Sequence, residues 1–194
     1  MRILLIFCHP LEDSYQAALH RTSRGALERA GHEVDDLDLY AEGFDPVLSR
    51  EERRRYHDLG VNRRPVEPYV QRLLAAEALV LCFPVWNFGP PAMLKGFFDR
   101  VFLPGVSFHL SADGRITPAL RQIRKAGAVV TYGGSRLVAW AMGDPPRKLV
   151  RRHLRSLIRP GAPVRYLAHY HLNVSTEATR RRFLAKVERT MAVF

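Results

Sequence analysis

Cysteine is scarce in this 194-residue sequence, with only Cys8 and Cys82. They form no C-x-x-C pair and no metal-ligand spacing, which excludes a disulfide framework, a dithiol redox motif and a zinc site. Two reduced core thiols, and no bound metal, are expected. Long apolar runs are missing too: none approaches the roughly 18–20 residues that a membrane span requires. The opening run Met1-Arg2-Ile3-Leu4-Leu5-Ile6-Phe7 is brief and ends in Cys8-His9-Pro10, with no small-residue cleavage site after it. It reads as a buried first strand rather than a signal peptide, and places the protein in the cytoplasm. Two phosphate-binding signatures are absent from the following loop, the G-x-G-x-x-G of dinucleotide sites and the Gly-Lys-Ser/Thr of a P-loop.

Acidic residues are almost lacking in the last quarter. Residues 145–194 hold 12 Lys+Arg against 2 Asp+Glu, whereas residues 1–144 hold 18 against 17, so nearly all of the net charge of +11 lies in that segment. Its basic residues fall in two helical stretches, Arg147–Arg159 and Arg180–Arg189. A solvated basic face is the default reading, with attraction for anionic cofactors, a polyanion or an acidic partner as the other uses. No helix-turn-helix, zinc finger or RNA-binding aromatic motif accompanies the charge, so nucleic acid is not an expected partner.

What is present is a fivefold alternation of strand and helix. Strands are expected at 3–7, 33–39, 78–83, 128–131 and 164–169, and helices at 14–30, 69–76, from Pro90-Pro91, from Asp144-Pro145 to Pro160-Gly161, and from Ser175. Residues 41–66 form an Arg/Glu-rich excursion with a short surface helix. This pattern gives one domain, residues 1–194, of α/β class: a doubly wound five-stranded parallel sheet of order 2-1-3-4-5. The second strand, carrying acids between Val34, Leu37 and Leu39, belongs at the edge. Ligands of such sheets sit beyond the carboxyl ends of the strands, which singles out loops 8–14, 84–91 and 131–140.

The first loop lacks glycine but precedes a helix, whose unpaired amides favour phosphate. His9 and Ser14 add donors, although Ser14 also suits a plain N-cap. The third loop, Thr131-Tyr132-Gly133-Gly134-Ser135, is expected to use positive φ and to admit a flat ligand at its glycines. The second, Phe83-Pro84-Val85-Trp86-Asn87-Phe88-Gly89-Pro90-Pro91, places two aromatics and an amide at the sheet's edge. The helix behind it is apolar at Met93, Leu94, Phe97, Phe98, Val101 and Phe102, wider than one core-facing stripe. One side is expected on the sheet and the other against a second subunit.

The run from Phe83 to Phe108 resembles the NAD(P)H:quinone oxidoreductase family, whose segment F-P-x-x-x-F-G-x-P-A-x-L-K-G-x-F-D/E-R-V-F is matched by Phe83, Pro84, Phe88, Gly89, Pro91, Ala92, Leu94, Lys95, Gly96, Phe98, Asp99, Arg100, Val101 and Phe102. His9 with Ser14, and Thr131 with Gly133-Gly134, fit the family as well, and Val85-Trp86-Asn87-Phe88 is similar to the flavin azoreductases. The resemblance implies a flavodoxin-like fold, noncovalent FAD or FMN, NAD(P)H as donor, and a homodimer with shared sites. It assigns His9, Ser14, Tyr15 and Gln16 to the flavin phosphates, and Pro84, Val85, Trp86, Asn87, Phe88, Thr131, Gly133 and Gly134 to the flavin ring. Phe108 and Leu110 of the neighbouring subunit would join Asn87 and Phe88 in the acceptor pocket. Hydride would pass through flavin N5 to a quinone, with the Gly133 and Gly134 backbone assisting. The sequence departs from mammalian-type members, having Ala139 and Pro145 where they carry a Tyr and a His. Azo or nitro reduction is the neighbouring activity. An ancillary flavoprotein regulating an acidic partner, such as an ion-efflux system, is the non-enzymatic alternative. A one-electron carrier is disfavoured because such carriers are acidic.

Overall fold

Every residue of Ile3–Phe7 is buried, and alternate side chains face opposite layers, the behaviour of a strand covered on both sides. The computed structural model describes all 194 residues, Met1–Phe194. Its elements begin β1 (Arg2–Phe7), α1 (Tyr15–Arg29), β2 (Glu33–Asp38), α2 (Arg50–Arg54), α3 (Glu67–Ala75) and β3 (Ala78–Pro84). They continue α4 (Ala92–Val101), β4 (Phe108–Leu110), β5 (Ile116–Pro118), β6 (Lys125–Thr131) and α5 (Arg136–Ala141). The chain ends with α6 (Pro145–Lys148), α7 (Arg155–Leu157), β7 (Val164–His169) and α8 (Glu177–Met191).

The main sheet is parallel throughout, in the order β2-β1-β3-β6-β7. Its five strands taken in sequence thus stand 2-1-3-4-5, with the acid-bearing strand at the edge as expected. On one face Ile3, Leu5 and Phe7 meet Leu19 and Leu27 of α1 and Phe183 and Val187 of α8. On the other, Leu4 and Ile6 meet Val70 and Leu73 of α3, Leu94 and Phe97 of α4, and Val150 and Leu154. The two thiols are buried in these layers. Burial pushes both Cys8 and Cys82 up to about 12, so they are inert packing groups.

The alternation left some boundaries and small elements undetected. β6 starts at Lys125 rather than 128, because Gly127 continues the ladder beneath the ring of Phe194. β3 takes in Pro84, paired with Thr131; its missing N–H ends the strand only after that residue. β4 and β5 form an antiparallel hairpin too short to carry a period. α5, capped by Ser135, lies inside what reads as the third loop. The helix expected from Asp144 to Pro160 is broken into α6, a π-helical turn at Leu149–Leu154, and α7.

The apolar stripe of α4 requires a correction. Leu94, Phe97, Phe98, Val101 and Phe102 are all buried within one chain, and only Met93 is partly exposed. The outer side is covered not by a second subunit but by the 41–66 excursion. Phe44 packs on Phe97 at 5.3 Å between ring centroids, and Gly96 admits Pro46 against the helix backbone. Arg100, nearly buried, pairs with Glu52 at 2.8 Å and donates to the Asp45 carbonyl. α2, closed by a Ser49–Glu52 capping box, supplies that carboxylate.

Candidate functional site

The loop after β1 turns directly into α1, and Ser14 is its N-cap, accepting from the Ala17 amide at 3.1 Å and donating to the Leu11 carbonyl at 2.8 Å. Both sides of the hydroxyl are therefore used by the helix itself. The amides of Glu12, Asp13, Tyr15 and Gln16 have no acceptor in the chain, and this row of donors at a helix N-terminus is an anion cradle. His9 stands beside it. Its Nδ1 lies 3.0 Å from the Leu11 amide nitrogen and 3.3 Å from the Leu11 carbonyl oxygen, and its Nε2 has no partner in the chain. Burial holds His9 below the usual histidine range, so the ring is neutral at pH 7.

Two expected phosphate ligands point elsewhere. The Tyr15 hydroxyl donates to the Arg180 carbonyl at 3.0 Å, and burial raises that phenol to about 12. The Gln16 side chain is buried: its Nε2 donates to the Val129 carbonyl and Cys82 Sγ, both at 3.0 Å, and its Oε1 accepts from Thr131 at 2.8 Å. Gln16 and Thr131 thus tie α1 to the carboxyl ends of β3 and β6. Neither side chain is available to a ligand, although the Tyr15 and Gln16 amides remain so. Pro84 is likewise buried within β3.

The second loop closes on itself through Trp86 N–H to Gly89 O at 3.1 Å and Gly89 N–H to Trp86 O at 2.8 Å. Between them Asn87 (φ 46°) and Phe88 (φ 59°) are both left-handed, the geometry of a tight hairpin turn. That conformation turns the side chains of Trp86, Asn87 and Phe88 outward into solvent. Trp86 lies 5.8 Å from His9 between ring centroids, bringing the first loop to the second.

The third loop meets the second in a cleft of about 210 Å³ lined by Val85, Asn87, Phe88, Gly133, Gly134 and Val138, among others. Neither Gly133 nor Gly134 has positive φ, so the expected need for left-handed backbone is not met. Space accounts for them instead. A Cβ on Gly133 would press on the Asn173 side chain, whereas one on Gly134 would stand in open space beside the cleft. The amides of Asn87, Phe88, Gly133 and Gly134 have no acceptor in the chain. These features fit a flat, electron-rich ring laid against Gly134, with an anionic tail reaching the α1 cradle.

Of the expected acceptor residues, Asn87 and Phe88 line this cleft, whereas Phe108 and Leu110 do not join it within one chain. Phe108 is partly buried and packs on the main core, and Leu110 borders a separate hollow with Leu59 and Pro104. Residues outside the expected set also line the site, Tyr132, Ser135 and Val138 among them, and Tyr132 leads to a polar group behind the wall. Tyr132 forms a wall of the cleft and donates to Asp144 at 2.6 Å, while Tyr166 donates to the Tyr132 oxygen at 2.6 Å. Burial, then these neighbours, pushes the Tyr132 phenol far up, so it stays protonated. Tyr132 stood inside the Thr-Tyr-Gly-Gly run, but nothing in the sequence linked it to Asp144. At the two departures from mammalian-type members, Ala139 lines the cleft without a titratable group and Pro145 opens α6.

A parallel five-stranded sheet with a cleft and a row of unpaired helix N-terminal amides at its carboxyl edge defines a flavodoxin-class α/β protein. The chain belongs to the flavodoxin-like fold family, whose model matches residues 1–159. It is 34% identical over 140 residues to the uncharacterized NAD(P)H oxidoreductase YcaK of Escherichia coli K12, covering 70% of this chain and 66% of that protein. It is 27% identical over 148 residues to the FMN-dependent NADH:quinone oxidoreductase of Lachnoclostridium phytofermentans, covering 75% and 70%. Among solved structures, Smu.1420 from Streptococcus mutans UA159 superposes with a TM-score of 0.88 at 27% identity, covering all of both chains. The chain spans between about half and two thirds of the length of YcaK, the mammalian NAD(P)H dehydrogenase [quinone] 1 relatives and a fungal ribosyldihydronicotinamide dehydrogenase-like protein. No helix is long and apolar enough to cross a membrane.

Proposed function

We propose that the protein is a cytoplasmic flavin-dependent NAD(P)H oxidoreductase that reduces quinone-like acceptors, folded as one domain over residues 1–194. The observation that carries this is the cleft beside Gly134, joined by His9 and Trp86 to the amide cradle of α1. The names of relatives that act on NAD(P)H or quinones support the reading.

A flavin, FMN or FAD, would supply two-electron hydride chemistry between the nicotinamide donor and the acceptor. The chain's own residues do the rest. The Glu12, Asp13, Tyr15 and Gln16 amides and His9 Nε2 hold the phosphate. Gly134 leaves room for the ring. The Asn87, Phe88, Gly133 and Gly134 amides are fixed donors for negative charge developing on a ligand in the cleft. Trp86 and Phe88 provide apolar planes for a stacked acceptor and limit water.

Exposed Trp86 and Phe88 of the second loop and Leu137 and Val138 of α5 stand around the cleft, which supports a homodimer closing over it. In that arrangement Phe108 and Leu110 reach the partner's site.

Purified protein should be yellow, or become so on adding FMN or FAD. Mass spectrometry of the released flavin should identify it, and NADH or NADPH should be consumed with a soluble quinone. Gly134→Val should lose flavin binding, because its branches occupy the ring's place. A colourless protein with no thermal shift in either flavin sinks the reading.

A further inference from the structure

The first basic stretch is largely exposed, but its side chains are gathered rather than spread over a face. Arg147, Lys148, Arg151, Arg152 and Arg155 join Arg136 of α5 around one concavity of about 560 Å³. Arg151 and Arg152 belong to the π-helical turn Leu149–Leu154, with Arg147 and Arg155 four residues to either side of Arg151, and π-turns recur at functional sites.

The charge in this hollow is uncompensated. Arg147 pairs with Asp144 at 2.9 Å and donates to the Tyr170 hydroxyl at 2.8 Å. The other five cations have no carboxylate within ion-pair distance. Asp144, the only acid on the wall, is already engaged by Tyr132 and Arg147. Trp140 lies on the same wall and is 74% exposed, an apolar plane beside a cluster of guanidinium groups. Cations beside an exposed aromatic plane suit a phosphorylated nucleotide, the phosphate taking the charge and the base taking the ring. The volume falls within the roughly 300–1,000 Å³ of small-molecule sites, and a concave hollow is a poorer match for a flat protein face.

The hollow adjoins the cleft. α5 separates them, with Val138 and Ala139 turned to the cleft and Arg136 and Trp140 to the hollow. The Tyr132–Asp144 hydrogen bond joins the two walls. We propose that this hollow binds the adenosine 2′-phosphate end of the donor and makes the protein selective for NADPH over NADH, an inference that rests on the reading of the cleft as a flavin site. FAD is the other source of a phosphorylated adenosine, but its phosphates have their cradle at α1.

The test reads binding apart from turnover. Adenosine 2′,5′-bisphosphate, 5′-AMP and inorganic pyrophosphate are titrated calorimetrically into flavin-loaded protein and into the triple variant Arg151→Gln, Arg152→Gln, Arg155→Gln. All three positions are exposed, so the fold should tolerate them. The bisphosphate should bind wild type more tightly than either other probe, and at least about tenfold more weakly to the variant. Flavin content should be unchanged, and KM for NADPH should rise several times more than KM for NADH. Absence of bisphosphate binding, binding unaffected by the substitutions, pyrophosphate binding as tightly, loss of FAD from the variant, or equal rises in both KM values would overturn the proposal. Bisphosphate binding to a protein that oxidises no NADPH would refute the oxidoreductase reading while leaving a nucleotide site.

Discussion

Gly96 leaves less room for a side chain than any other glycine in the chain. A Cβ there falls well inside contact distance of the Pro46 carbonyl and Cα, both of them backbone. Gly96→Ala should force the excursion off α4 and destabilise the protein by about 1–3 kcal/mol, read from urea unfolding. An unchanged midpoint would mean that Pro46 yields freely. Phe88 illustrates the opposite economy. A bulky residue at φ 59° stores strain, of order 1–3 kcal/mol, that glycine would relieve. Phe88→Gly should therefore raise the Tm of flavin-free protein while slowing quinone turnover, as the cleft loses an aromatic plane. A lower Tm would show that the ring's packing outweighs the strain.

At the scale of elements, α1 is fastened to the sheet at both ends by polar groups. Gln16 ties its start to β3 and β6. Further along, His20 and Arg24 hold Asp36 of β2 at 2.7 and 3.0 Å, and His20 stacks on Phe7. Burial raises the Asp36 carboxyl, but hydrogen bonds and charge from His20 and Arg24 outweigh it, leaving its pKa below the ordinary value. A lowered folded-state pKa means stability that is complete above the unfolded value, about 3.9, and is lost as pH falls through the folded one. Asp36→Asn should cost about 1–3 kcal/mol at pH 7, since it leaves the buried His20 and the half-exposed Arg24 poorly matched. The difference from wild type should shrink as the pH falls below about 4, read by urea titration at each pH. A gap that persists at pH 2 would assign the effect to packing.

For the whole molecule, strand order and the three loops at the carboxyl edge were legible because buried parallel strands are continuous apolar runs and the carboxyl edge follows from topology. The hairpin 108–118 and the π-turn were not, since three-residue strands and a single wide turn leave no period. Nor could the sequence tell that Gln16 faces inward, because its partners are 66 and 113 residues away. The broad stripe of α4 was visible, but a pattern on one helix does not say which part of the chain will cover it.

That covering segment has a consequence for how the protein ages. α2 buries none of its residues, and Arg50, Arg53, Arg54 and Arg55 are exposed in succession, so the strap over α4 presents a run of trypsin sites. Limited digestion should cut first between residues 50 and 55, before any strand is touched. The nicked molecule should then uncover Phe97 and Phe98, bind a dye such as ANS and precipitate, with intact protein of the same preparation staying clear. The segment that keeps the stickiest helix out of water is also where degradation begins.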